Sequence, residues 1–329
     1  MRLAGLMALT FALSCGAPTF AQTPGPGGTA RVVPTIALFS PAIPYALCPP
    51  NAGNRLACSP NTDDTSGAGA IDAIRTAALA PGVERIVLFL PGYRTALTDG
   101  HATAQRIADI LGPHFLVVHV DWGSLGKMAG YRADGVAAKR ESTDFAQFVS
   151  DLHAAIPQRE LTIFAHSMGT RVAAGAMGII KAPQDRRPFV TETVFAAPDL
   201  GLGDYERAVL RNPVPFGHVT IYVSRHDKAL LVSSIIHLGH RIGQLAVWRK
   251  TIADTSVVDA SSAEPVGQGH GYALHDALVV RDIGAVFLDS AIPHLSWARL
   301  NPASITWTLI PAKILPLTEV RSQAGSTSP

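Results

Sequence analysis

From Arg85 onward the chain alternates short apolar runs with stretches of helical period. The runs are Ile86-Val87-Leu88-Phe89-Leu90, Phe115-Leu116-Val117-Val118-His119-Val120, Leu161-Thr162-Ile163-Phe164, Thr193-Val194-Phe195-Ala196 and Val219-Thr220-Ile221-Tyr222-Val223. They are short, rich in β-branched and aromatic residues and stopped by Gly, Pro, Asp or Ser, which predicts buried strands. Between the first two, Ala104, Ile107, Ala108 and Leu111 share one helical face behind Asp99 as a cap. Phe145, Phe148, Val149 and Leu152 repeat at helical spacing with Ser142 or Thr143 as N-cap, an Ala-rich helix follows from Thr170, and a closing helix spans Asp282 to Leu288. Strands apolar on both faces and separated by helices need a sheet covered on both sides, so the fold class is α/β with an open, mostly parallel sheet.

Outside this region the pattern changes. Gln22 to about Pro81 is rich in Gly, Pro, Ala and Ser, with one modest helical repeat at Ile71, Ile74 and Ala78, and reads as a packed extension. Met1-Arg2, the apolar stretch Leu3 to Leu13 and the small residues after it have the form of a secretory signal, too short to span a bilayer. Cleavage after Ala21 is favoured over a lipoprotein signal ending at Cys15. The organisation is then a signal at 1–21, an extension at 22–80, a catalytic domain at 81–290 and a tail at 291–329. Secreted or periplasmic placement makes Cys48 and Cys58, across a Pro/Asn/Gly loop, a disulfide pair. The tail, with Trp297, Trp307 and the run Ile305 to Ile310, is expected to pack on its own domain in preference to a membrane or lipid.

The content of 47% hydrophobic and 16% charged residues supports a large core and argues against a long disordered region. A net charge of +2, evenly spread, points away from nucleic acid and towards a neutral or weakly charged substrate.

Ala165-His166-Ser167-Met168-Gly169 carries the chemistry, because it joins a strand to a helix. A serine hydroxyl is a weak nucleophile, and a sharp strand-to-helix turn presents it at the top of the sheet. The residues two before and two after it must be small, as Ala165 and Gly169 are. Together with Phe89-Leu90-Pro91-Gly92-Tyr93, Val120-Asp121-Trp122, Ala196-Ala197-Pro198-Asp199 and Ser224-Arg225-His226-Asp227-Lys228-Ala229-Leu230, this turn resembles the bacterial α/β-hydrolases of the DUF900 family over roughly Arg85 to Leu288. The resemblance implies the α/β-hydrolase fold and a catalytic triad; the family was defined without a known function.

In this fold a triad runs Ser, acid, His along the chain. The acid is expected at Asp227, just past the strand ending at Val223, where the resemblance also places an Asp; Asp199 is the rival. His270, in the loop Gly269-His270-Gly271-Tyr272, is the expected base, with His275 as competitor. His237 and His240 lie in an apolar helical stretch and lack a third metal ligand, so no metal is expected and no cofactor is needed. The backbone N–H groups of Met168 and Tyr93 are the expected oxyanion donors, with Pro91 standing where many relatives have His. His166 is assigned a structural role. Arg94, Trp122, Tyr131 and Arg132 are candidates for lining the pocket, and Gly126 to Arg140 is open to being a lid, as helix or loop.

These residues predict a serine hydrolase acting on a small-molecule or lipid-like ester. The alternatives are a binding protein that kept the fold without turnover, or an enzyme cleaving amides or thioesters or transferring acyl groups. Oligomeric state has no signature in this sequence.

Overall fold

The apolar runs become neighbouring strands of one sheet because each is buried on both faces and must be covered by helices. A computed structural model describes residues 33–40, 43–49, 51–58, 67–181, 188–211, 216–248, 252, 254–288, 298–301 and 306–309. The signal segment, its cleavage point, Cys15 and Trp297 lie outside the described residues. In chain order the elements are β1 (Thr35–Ser40), β2 (Ile43–Cys48), α1 (Ala68–Ala78), β3 (Arg85–Leu90), α2 (Leu97–Leu111), β4 (Phe115–Asp121), α3 (Tyr131–Ala155), β5 (Glu160–His166), α4 (Gly169–Met177), β6 (Val190–Ala196), α5 (Leu202–Arg211), β7 (Phe216–Val223), α6 (Lys228–Ile236), β8 (Thr255–Asp259), α7 (Tyr272–His275), α8 (Ala277–Leu288), β9 (Ala298–Asn301) and β10 (Thr306–Leu309).

The sheet order is β2-β1-β4-β3-β5-β6-β7-β8-β10-β9. Every pairing from β1 through β10 is parallel, and antiparallel strands β2 and β9 close the two edges. Alternate side chains of one strand serve opposite layers. Ile86, Leu88 and Leu90 of β3 pack into the layer with α1, α3, α4 and α5, while Val87 and Phe89 pack with α2 and α8. The register sets Leu90 beside Ala165, His166 beside Ala196, Ala196 beside Tyr222 and Val223 beside Asp259. The carboxyl ends of β3, β5, β6, β7 and β8 are therefore level, and their loops open along one side of the sheet.

The structure departs from the sequence pattern in several places. The Gly/Pro-rich extension supplies β1, β2 and α1, and the tail supplies β9 and β10, so both flanks build the sheet. Runs of four to six residues beside prolines leave too little repeat to stand out in the sequence. Cys48, at the end of β2, is disulfide-bonded to Cys58 in the turn that follows. Asp99 lies inside the first turn of α2, which starts at Leu97 because Leu97 and Gly100 are buried; the carboxylate there still complements the helix dipole. Ser142 and Thr143 lie within α3, which begins at Tyr131, and Ser142 Oγ donates to the Ala138 carbonyl at 2.9 Å. The early start is fixed by Asp134, a buried carboxylate that accepts Leu125 N at 3.0 Å and Ser124 Oγ at 2.6 Å. The segment from Gly126 to Arg140 is thus a short 3₁₀ turn, Met128–Gly130, running into α3.

Candidate active site

β5 ends at His166 and α4 begins at Gly169, so the chain reverses through Ser167 and Met168. Ser167 adopts φ +51°, a left-handed conformation that costs a residue with a Cβ roughly 1–2 kcal/mol. Its neighbours hold it there. Ser167 N donates to the Ala196 carbonyl at 3.0 Å, and the Ser167 carbonyl accepts Thr170 N at 3.2 Å, Asp199 N at 3.2 Å and Thr170 Oγ1 at 2.6 Å. The backbone is thereby anchored to β6 and to α4. Among the described residues Ser167 Oγ makes no hydrogen bond, and it keeps a small opening to solvent, the residue being 7% exposed.

Space at the turn is limited on both sides. A Cβ on Gly169 would lie 2.5 Å from the Pro91 carbonyl oxygen, and one on Gly92 would lie 2.9 Å from Ser167 Cβ and 3.0 Å from His166 Nδ1. The loop after β3 is packed directly on the serine turn. Buried Trp122 holds that loop from behind by donating Nε1–H to the Pro91 carbonyl at 2.8 Å. Tyr93 follows Gly92 in the same loop, and Met168 caps α4 with its backbone N–H at the positive end of the helix.

The loops after β7 and β8 bring Asp227 and His270 together. His270 Nδ1 stands 2.7 Å from Asp227 Oδ2, while Asp227 Oδ1 caps α6 by accepting Leu230 N at 3.0 Å. Gly269 sets the approach: at φ +78° its Cβ would fall 2.0 Å from the His226 carbonyl oxygen, so only glycine lets these loops touch. Burial on its own lowers the His270 pKa, but the Asp227 charge, its hydrogen bond and the more distant Asp199 charge together raise it above the usual imidazole value. His275, at the end of α7, has its pKa lowered by burial and by Arg106. No hydrogen bond joins it to either candidate acid among the described residues.

His166 ties the serine turn to the His270 loop. Its Nε2 lies 3.1 Å from the His270 carbonyl oxygen, and the two rings are 4.9 Å apart. A carbonyl only accepts, so His166 carries its proton on Nε2. Burial, assisted by His270, pulls its pKa down to about 3, which keeps the imidazole neutral.

Asp199 follows β6 and faces other partners. Its Oδ2 accepts Tyr131 Oη at 2.6 Å and Arg171 at 2.9 Å, its Oδ1 accepts Ser233 Oγ, and its carbonyl accepts Arg171 Nε at 2.8 Å. Burial and the Asp199 charge push Tyr131 up to about 12, so its phenol remains a donor. The Tyr131 ring meets Tyr93 at 5.3 Å and His237 at 5.6 Å, forming an aromatic row from the β3 loop to the end of α6. Of the other pocket candidates, Arg94 and Arg132 are exposed. Arg171 and Ser233 gave no signal in the sequence, although Arg171 stands one helical turn beyond Ser167. Among the described residues no three His, Cys, Asp or Glu side chains are grouped as metal ligands.

A family model described as an α/β-hydrolase of unknown function, DUF900, matches residues 73–282. Among solved structures, the chain is similar to Trichoderma reesei cutinase in complex with a C11Y4 phosphonate inhibitor, at 16% identity and a TM-score of 0.27, over 46% of this chain and 75% of that one. It is also similar to Aspergillus fumigatus lipase B, at 14% identity and a TM-score of 0.41, over 62% of this chain and 52% of that one. No curated protein matches it.

Proposed function

Since this chain belongs to the DUF900 family of α/β-hydrolases, we propose that it is an exported serine hydrolase that cleaves carboxylic esters through Ser167, His270 and Asp227. The observation that carries this reading is the buried His270–Asp227 pair, at 2.7 Å, set against a serine turn strained to φ +51°. In this mechanism His270 Nε2 takes the Ser167 Oγ proton as Oγ attacks the acyl carbon. Asp227 keeps the Nδ1 proton in place and stabilises the imidazolium. The imidazolium then protonates the departing alcohol, leaving an acyl-enzyme. Water attacks that ester with His270 again as base, returning Ser167 and releasing the acid. The backbone N–H groups of Met168 and Tyr93 are the proposed donors to the tetrahedral oxyanion, a contribution of roughly 3–4 kcal/mol per donor in comparable sites.

The raised His270 pKa fits a base that Asp227 holds ready, and the neutral His166 places no second positive charge beside it. The test is turnover of p-nitrophenyl esters from short to long acyl chain by the wild type and Ser167→Ala, with fluorophosphonate labelling in parallel. Loss of about three or more orders of magnitude in Ser167→Ala is expected. Labelling of Ser167 without turnover of any ester would redirect the substrate to amides or thioesters. A wild type that neither labels nor turns over would mark a binding protein.

A further inference from the structure

Outside the Ser167 site, a cleft of about 750 Å³ lies between the start of α5 and the end of α6, walled by Gly201, Asp204, His237, His240 and Arg241 among others. Arg241 is only 6% exposed, yet its guanidinium makes no hydrogen bond among the described residues. Its Nε is buried without a hydrogen bond, at the long ion-pair distance of 3.5 Å from Asp199 Oδ1. The reason is competition: Ser233 already occupies Oδ1, and Tyr131 and Arg171 occupy Oδ2. The second carboxylate of the wall, Asp204, is held by Arg207. Arg241 thus shares Asp199 with Arg171, which holds Oδ2 at 2.9 Å. Burial also pulls the Arg241 pKa below its usual value, as expected of a cation short of compensation.

We propose that this cleft is an anion subsite in which Arg241 receives a carboxylate or phosphate group carried by the substrate. A guanidinium with unused donors suits the planar, bidentate geometry of such groups. The subsite adjoins the serine turn through Asp199, whose backbone N–H bonds the Ser167 carbonyl while its side chain faces Arg241. The assignment rests on the ester-hydrolase reading only in calling the bound group part of a substrate.

An apolar stripe leads to the same place. Leu231, Ile235 and Leu238, spaced four and three apart along and just past α6, are 56%, 67% and 94% exposed and end beside the cleft residues His237 and Gly239. The anion can therefore come from a small acidic ester or from the head of an amphiphile whose chain lies on α6. Calorimetric titration of the full chain with inorganic phosphate and with hexyl phosphate separates the two. Tighter binding of hexyl phosphate by about tenfold or more marks the amphiphile, and equal binding marks the small acid.

In either case Arg241→Gln is expected to weaken binding about tenfold or more. His240→Glu, on the exposed rim, should weaken it too and guards against misfolding of the buried variant. Absence of anion binding by the wild type, or unchanged affinity in both variants, overturns the subsite. Fluorophosphonate labelling of the same samples distinguishes the failures: labelled Ser167 without anion binding removes the subsite alone, and anion binding without labelling removes the hydrolase alone.

Discussion

Asp199 and Asp227 follow adjacent parallel strands, both are buried, and both stand near the serine turn, yet they live in different electrostatic worlds. Asp227 meets one imidazole, and its remaining oxygen caps a helix. Asp199 meets a guanidinium at 2.9 Å, a second at 3.5 Å, a phenol and a hydroxyl. A carboxylate bonded to a titratable ring can tune proton transfer, because the ring changes charge during the reaction. One saturated by permanent cations and neutral donors has nothing to exchange, and its bonds join α4, α3 and α6. Position after a strand does not assign a role; the partner's chemistry does.

Removing each charge in turn separates the two carboxylates. Asp227→Asn is expected to lower kcat by about 10⁴-fold, as loss of the orienting acid does in serine hydrolases, with little change in stability because Asn still caps α6. Asp199→Asn should leave kcat/KM within about tenfold and yet destabilise the fold by about 3–5 kcal/mol in urea denaturation, since it takes the carboxylate charge from the largely buried Arg171 guanidinium. A collapse of turnover in Asp199→Asn with Asp227→Asn near normal would reverse the assignment.

Tyr131→Phe removes one charged hydrogen bond from the Asp199 side. It is expected to lower stability by about 1.5–3 kcal/mol, measured in the same denaturation series. A wild-type midpoint would show that the phenol adds nothing to the cluster.

The smallest effect is on pH dependence. Because a proposed base at His270 must be neutral to act and the His270 pKa is raised, kcat/KM of the wild type should fall as pH drops through a value above the usual ~6.5. The residual activity of Asp227→Asn should show that acid limb at lower pH, since the main raising influence is gone. Fold stability has the opposite sign: the protonated His270–Asp227 pair stabilises fully below the usual imidazole value, and this contribution is lost as pH rises through the elevated folded value. An acid limb unmoved by Asp227→Asn would detach Asp227 from the titrating ring.

The central strands and the serine turn were legible in the sequence because both are local. A run such as Ile86 to Leu90 is apolar at every position only when both sheet faces are buried, and a strand-to-helix reversal needs small residues at fixed offsets, supplied here by Ala165 and Gly169. Strands β1, β2, β9 and β10 were not legible, since runs of four to six residues beside prolines carry too little repeat to stand out. The start of α3 was missed because its first turns are held by polar anchoring at Asp134 rather than by an apolar stripe.

Local pattern therefore carried the fold class, the central strands around Ser167 and the short set of acids and histidines from which the proposed triad is drawn. Tertiary structure alone paired His270 with Asp227 and gathered Arg171, Arg241, Tyr131 and Ser233 around Asp199. Those partners lie 28 to 68 residues apart along the chain. Contacts at such separation are fixed by how level strand ends and their loops meet, which no local pattern encodes.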